Sequence, residues 1–327
     1  MMYVHIPFCK SFCTYCDFYS EICSGKVQNL FVEELCGEIE RRRPQIEDTL
    51  ALNTLYIGGG TPSVLAPEHL KRIVETLGYG PYEEFTVEVN PDDITPAYAA
   101  FLKELGVTRV SMGVQSFNDA LLRWMNRRHD SAGAVAAFHI LRQAGFDNIS
   151  IDLIFGVSSL RQEVWEDTVK KAIELAPEHI SAYQLTIEEG SDLERMIKEG
   201  RYREASDEQC AAQYEALCSL LRSAGFNHYE ISNFAVPGRE AVHNQAYWRR
   251  LPYVGLGPGA HSLTGEDTRS WNTSQISGWT REYEHLTPEQ IREERLMLGL
   301  RTDAGVDGMR IPESDWFISD SIIEDLI

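Results

Sequence analysis

The stretch Tyr3-Val4-His5-Ile6-Pro7-Phe8-Cys9-Lys10-Ser11-Phe12-Cys13-Thr14-Tyr15-Cys16 opens as a short β-strand and runs straight into a loop carrying C-x3-C-x2-C. The same strand punctuation recurs down the chain. Runs 54–57, 85–89, 109–113, 149–154 and 180–185 are rich in Val, Ile, Thr and Tyr and read, with 3–6, as strands. Amphipathic stretches 27–43, 67–77, 96–105, 132–144 and 162–175 alternate with them. In the first, Leu30, Phe31, Leu35 and Ile39 repeat at helical spacing. Gly106 and Gly145 stand where helix C-caps belong. Strand–helix alternation predicts right-handed βαβ units and a parallel sheet, an α/β fold. Six units make either an open doubly wound sheet or an incomplete (β/α)6 TIM-like barrel. Cys9, Gly58-Gly59-Gly60-Thr61, Asn90 and Gln115 all follow strand ends, which favours a barrel-like site at that face. A helical stretch 206–224 comes next, and beyond it turn-rich segments 233–238 and 255–259 loosen the pattern. A boundary near Gly225 is therefore expected, dividing a core, 1–224, from a smaller mixed C-terminal region, 225–327, that closes in a helical-looking 319–327.

The net charge is −20 and the pI about 4.9. Lys and Arg are scattered, and Arg41-Arg42-Arg43 falls at the expected end of a helix, where cations suit the dipole. A phosphate-gripping basic face is not legible, which disfavours a nucleic-acid partner. No apolar run approaches the ~18 residues of a membrane span, and the start lacks a signal-peptide pattern. A soluble cytoplasmic protein is expected. Seven cysteines, an odd number, argue against a disulfide framework.

Three of those seven fall between positions 9 and 16, and that bunching asks for a metal. Thiolates suit zinc or iron–sulfur clusters. A structural zinc closes with four ligands, usually from paired motifs, and no second pair follows, since Cys210 and Cys218 are eight apart on one expected helix. On a four-iron cubane, three thiolates leave one iron open to a small chelator. The alternatives are a zinc knot or buried core cysteines, and the latter is the expectation for Cys23 and Cys36.

The C-x3-C-x2-C spacing with Tyr15 before its last Cys resembles the radical-SAM superfamily. That resemblance implies a [4Fe-4S] cluster on Cys9, Cys13 and Cys16 whose open iron binds S-adenosylmethionine, with an electron donor such as flavodoxin or ferredoxin if turnover occurs. Further stretches are similar to the oxygen-independent coproporphyrinogen III oxidase family: Gly58-Gly-Gly-Thr-Pro62, Glu88-Val-Asn-Pro91, Gly113-Val-Gln-Ser-Phe117 and Ile151-Asp-Leu-Ile-Phe-Gly156. Carried over residue by residue, the likeness implies that Tyr3, Tyr15, Gly59, Gly60, Thr61, Glu88, Gln115, Arg127, Asp152 and Thr186 line the S-adenosylmethionine pocket. Taken alone, the Gly-Gly-Gly-Thr run is equally a tight turn, while for Asp152 a binding role is favoured over that of a hydrogen-bonded structural carboxylate.

Where the coproporphyrinogen-oxidising enzymes continue the cysteine motif with a further Cys, this chain has Phe18. That matches the family's heme-chaperone branch, the HemW proteins. His243-Asn244-Gln245-Ala246-Tyr247-Trp248 and Glu294-Arg-Leu-Met-Leu-Gly-Leu-Arg301-Thr302 resemble the same branch. The branch likeness implies heme binding and transfer to acceptor hemoproteins. His243 is the candidate heme ligand, His5 and His261 are other imidazoles, and Tyr247 and Trp248 offer ring faces. A polar turn with two packed aromatics is the plainer reading of that motif. The competing function is coproporphyrinogen III dehydrogenase, making protoporphyrinogen IX by radical decarboxylation; a third, tRNA modification, fits the acidic balance poorly. The likeness leaves a homodimer and peripheral membrane contact open, and it implies a further helical or winged part beyond Ile327. Gly156-Val-Ser-Ser-Leu160 departs from the family's Gly-Leu-Pro-Gly loop.

Overall fold

The computed structural model describes residues 1–16 and 18–327. Strands β1 (Met2–Ile6), β2 (Thr54–Gly59), β3 (Glu84–Val89), β4 (Arg109–Gln115), β5 (Ile149–Phe155) and β6 (His179–Gln184) pair in sequence order, all parallel. Helices α1 (Gly25–Asp48), α2 (Pro67–Leu77), α3 (Pro96–Glu104), α4 (Asp119–Trp124), α5 (Ser131–Gln143) and α6 (Gln162–Glu174) fill the crossovers. Their apolar stripes bury Ile73, Leu102, Phe138, Leu141 and Trp165 against the outer face of the sheet. Each such side chain contributes about 1.5–3 kcal/mol. Period two leaves polar residues on the inner face: Tyr56, Glu88, Ser111, Asp152 and Ser181 all line one interior cavity.

Two expectations about α1 need correction. Leu30 is 61 % exposed; the buried stripe is Phe31, Val32, Leu35, Cys36 and Ile39, one position round the helix. The helix also does not stop at the arginines but runs through Pro44 to Asp48, where buried Ile46 draws the last turn onto the core. Arg42 is thus mid-helix and buried rather than soothing a dipole. It pairs with Glu38 at 3.2 Å and reaches the Gly255 carbonyl and Ser262 Oγ.

After α7 (Asp192–Lys198) and α8 (Asp207–Ser223), strands β7 (Asn227–Glu230) and β8 (Asn233–Ala235) run antiparallel and extend the sheet beyond β6. Helix α9 (Val242–Trp248) then leads to β9 (Val254–Leu256), which joins β1 at the opposite edge. Among the described residues the sheet order is β7-β8-β6-β5-β4-β3-β2-β1-β9, so β1 and β6 do not meet and the six-unit barrel stays incomplete. The division near Gly225 runs through this continuous sheet. Strands β10 (His261–Thr264), β11 (Thr268–Asn272) and β12 (Arg281–His285) form a separate antiparallel sheet. Helices α10 (Pro288–Gly299) and α11 (Ser319–Glu324) share a small cluster of Leu296, Leu300, Ile311, Trp316 and Ile323. No helix among the described residues is long and apolar enough to cross a membrane.

Candidate functional site

A cavity of about 670 Å³ occupies the inside of the partial barrel and opens at the carboxyl ends of its strands, within the ~300–1,000 Å³ typical of small-molecule sites. Cys9, Cys13, Cys16 and Tyr15 line its mouth, with Gly59, Gly60 and Thr61 beside them. Glu88, Gln115, Arg127, Asp152 and Thr186 line its walls. Phe18, 62 % exposed, also stands at the mouth.

The cysteine loop is laced into the frame by backbone hydrogen bonds. Gly60 N donates to the Ile6 carbonyl at 2.9 Å and Thr61 N to that of Phe8 at 2.8 Å. A Cβ on Gly60 would lie 2.9 Å from the Phe8 oxygen, so only glycine permits this approach. On the other flank, Thr14 Oγ1 donates to the Trp124 carbonyl and Asn126 Nδ2 to that of Phe12. These acceptors and donors come from the end of α4, which sequence reasoning missed, although Asn118 followed by Asp119 is an N-cap signal. Arg127 binds from the same turn. Its Nη1 lies 3.3 Å from Cys13 Sγ, and Nη2 donates to Asn90 Oδ1 at 2.8 Å and to the Gly113 carbonyl. Burial pushes the Cys9 thiol up, while hydrogen bonds from Thr61 and Ser20 and the charge of Arg127 oppose it.

The donor set fits the cluster that the sequence implied. Three cysteines line one cavity mouth, with the Arg127 guanidinium donating to the sulfur of Cys13. Among the described residues no trio of His, Cys, Asp and Glu is drawn together as ligands of a single ion. Gln115 is held at φ 66°, and its Oε1 is buried without a partner among the described residues, an acceptor open to a ligand donor. S-adenosylmethionine, with an ammonium and ribose hydroxyls, supplies such donors.

Deeper in, Glu88 accepts from Tyr56 Oη at 2.7 Å and from Gly59 N at 3.1 Å. Asp152 accepts from Ser111 Oγ at 3.1 Å. Burial pushes both carboxyls up, Glu88 to about 7, where the charge of Asp152 adds to the effect of burial. Arg109 shares this layer, 1 % exposed, and its Nε and Nη1 have no partner among the described residues. Nothing in the sequence set Arg109 apart from the scattered surface arginines.

Two expected residues stand elsewhere. Tyr3 lies one layer behind the wall, its hydroxyl 3.0 Å from His5 Nδ1 and its ring 6.1 Å from that of Tyr56. His5 is also taken, its Nε2 3.0 Å from the Tyr19 carbonyl. His243 is fully buried. Its Nδ1 is 2.9 Å from Thr54 Oγ1, its Nε2 3.1 Å from Tyr247 Oη, and burial pushes its pKa down to about 3. Both ring nitrogens are therefore occupied inside the protein, and it is Asn244, the next residue, that reaches the cavity. Glu84 positions this helix by accepting from Val242 N at 2.9 Å and His243 N at 3.0 Å. His261 sits on the antiparallel sheet, stacked on Trp271.

The Radical SAM superfamily profile matches residues 3–172. Over 332 residues the chain is 36 % identical to the heme chaperone HemW of Bacillus subtilis (strain 168), covering 95 % of this chain and 86 % of that one. It is 37 % identical over 317 residues to HemW of Lactococcus lactis subsp. lactis, with 93 % and 82 % covered. To the mitochondrial radical S-adenosyl methionine domain-containing protein 1 of Mus musculus it is 32 % identical over 330 residues, with 93 % and 74 % covered. Among solved structures, coproporphyrinogen III oxidase HemN of Escherichia coli shares the fold at a TM-score of 0.78 and 24 % identity, covering 92 % of this chain and 75 % of that chain. With the three-thiol loop, the glycine shelf and the buried carboxylates on the strands that match, the chain belongs to the radical SAM superfamily and, within it, to the HemW family.

Proposed function

We propose that this chain holds a [4Fe-4S] cluster on Cys9, Cys13 and Cys16, binds S-adenosylmethionine in the adjoining cavity, and carries heme to acceptor hemoproteins. The observation that carries this reading is identity of 36–37 % over more than nine-tenths of the chain to proteins named as heme chaperones. Phe18, where a fourth thiol would otherwise stand near the loop, supports it.

When bound, the cluster supplies an electron source and one iron with an open coordination position. The protein's own residues do the holding and the excluding. Arg127 donates to Cys13 Sγ and so ties the cysteine loop to the turn after α4. Gln115 Oε1, Glu88 and Asp152 present acceptors at increasing depth to a cationic, hydroxyl-bearing ligand. Tyr56 and Ser111 fix those carboxylates, so little reorganisation accompanies binding.

The test is anaerobic reconstitution with iron and sulfide, then heme loading and mixing with an apo-hemoprotein, with and without S-adenosylmethionine. Heme appearing in the acceptor at a rate that exceeds free heme release is expected. Formation of protoporphyrinogen from coproporphyrinogen by the same preparation, without heme transfer, overturns the carrier reading in favour of the dehydrogenase.

A further inference from the structure

Three segments that meet at the cavity mouth come from distant parts of the chain: the cysteine loop after β1, the stretch following the glycine shelf, and the turn after α4. Each sends one donor to the same carboxylate. Asp93 ends the single turn of 3-10 helix, Pro91–Asp93, that follows β3. Its Oδ1 accepts from Lys10 Nζ at 2.7 Å, and its Oδ2 accepts from Ser63 Oγ at 2.9 Å and from Arg128 Nη2 at 3.0 Å. Lys10 stands between Cys9 and Cys13, Ser63 just past Thr61, and Arg128 next to Arg127. The Asp93 side chain is 2 % exposed, whereas that of Lys10 is half exposed.

A second line of bonds runs from the same carboxylate to the guanidinium that meets Cys13. Ser63 Oγ accepts from Asn90 N at 3.2 Å, and Asn90 Oδ1 accepts from Arg127 Nη2 at 2.8 Å. Asp93 itself stands behind the rim and lines no part of the cavity. Its partners distinguish it from an ordinary surface ion pair, which is worth little. A carboxylate this deeply buried has lost its water, and its three donors replace it. Taking one donor away leaves buried charge unbalanced. Lys10 is also the one Lys, Arg, Asp or Glu between Cys9 and Cys16. The other moorings of the loop at Phe12 and Thr14 are neutral hydrogen bonds.

We infer that Asp93 is a positioning residue for the iron–sulfur cluster. Its carboxylate clasps the cysteine loop to the glycine shelf and to the Arg127 turn, and so keeps the three thiols together at the cavity mouth. The inference rests on the cluster reading and deepens it. Thiolates gathered on one cage repel one another. A loop freed at Lys10 relieves that repulsion by splaying, and the metal is then lost.

The experiment is anaerobic reconstitution of the full chain, then timed exposure to EDTA with iron and acid-labile sulfide counted per chain. In Asp93→Asn the amide oxygen still accepts from Ser63 and Arg128, but the amide NH2 faces the Lys10 ammonium, so this variant breaks the Lys10 tie. It should lose iron about tenfold faster than the wild type. Lys10→Met should do the same, and the double variant should be no worse than either single one. The denaturant midpoint of the cluster-free Lys10→Met chain should stay at the wild-type value, which separates a clasp on the loop from a general role in folding. Lys10 is half exposed, so its variant keeps the test alive if Asp93→Asn misfolds. Iron loss at the wild-type rate, additive losses in the double variant, or a lowered midpoint of the cluster-free Lys10→Met chain overturns the clasp while leaving the cluster reading intact. A wild-type chain that takes up no iron removes both.

Discussion

At the scale of single residues, Glu88 is the informative group. Its carboxyl is raised to about 7, mainly because burial disfavours its charge. Between its ordinary pKa and about 7 the folded chain holds a proton that the unfolded chain has released. Its contribution to stability is present in acid and is lost as pH rises through about 7. Glu88→Gln removes that penalty. Without ligand, the variant should gain on the wild type between about pH 5 and about pH 8, by up to about 3 kcal/mol in denaturant titrations. A gap that shrinks with pH would contradict the buried-acid assignment. Gly60 tests the shelf in another way. Gly60→Ala places a methyl 2.9 Å from the Phe8 carbonyl and 3.0 Å from that of Ile6, both backbone. It should cost about 1–3 kcal/mol and lower the iron retained per chain after anaerobic reconstitution.

Among the elements, α9 shows how little of a motif's role is visible in its letters. Seven residues make a weak helix on their own, and here the N-terminal amides of Val242 and His243 are satisfied by Glu84, a buried carboxylate 158 residues earlier in the chain. Replacing Glu84 by Ala strips the cap and removes the counter-charge that acts most strongly on Arg109. A loss of about 1–3 kcal/mol is expected in denaturant titrations. Unchanged stability of the Glu84→Ala protein would show that α9 holds its place by packing alone.

Across the whole molecule, the buried Glu38–Arg42 pair couples α1 to β9, the turn after it and the antiparallel sheet. Glu38 accepts from Gly257 N, Asn272 Nδ2 and Trp279 Nε1, while Arg42 reaches Gly255 and Ser262. Removing one partner strands the other. Arg42→Met should cost about 3–5 kcal/mol, and Glu38→Leu/Arg42→Met together should cost less than the two single changes summed. Additive losses in a denaturant cycle would mean that the two side chains act independently.

The amino-acid order alone determined the six β/α units, the strand-end placement of the three cysteines and the glycine shelf, because these depend on local period, punctuation and spacing. The walls at Glu88, Gln115, Arg127 and Asp152 were legible only through family likeness. Tertiary structure decided the rest. It buried Arg42 and Arg109, set Tyr3 behind the wall, and used His243 to join Thr54 to Tyr247 while its neighbour Asn244 faced the cavity. It also built C-terminal strands onto both edges of one sheet. In each case the deciding partner lies dozens to hundreds of residues away, and a buried polar group takes its meaning from whichever atom the fold brings within hydrogen-bonding reach.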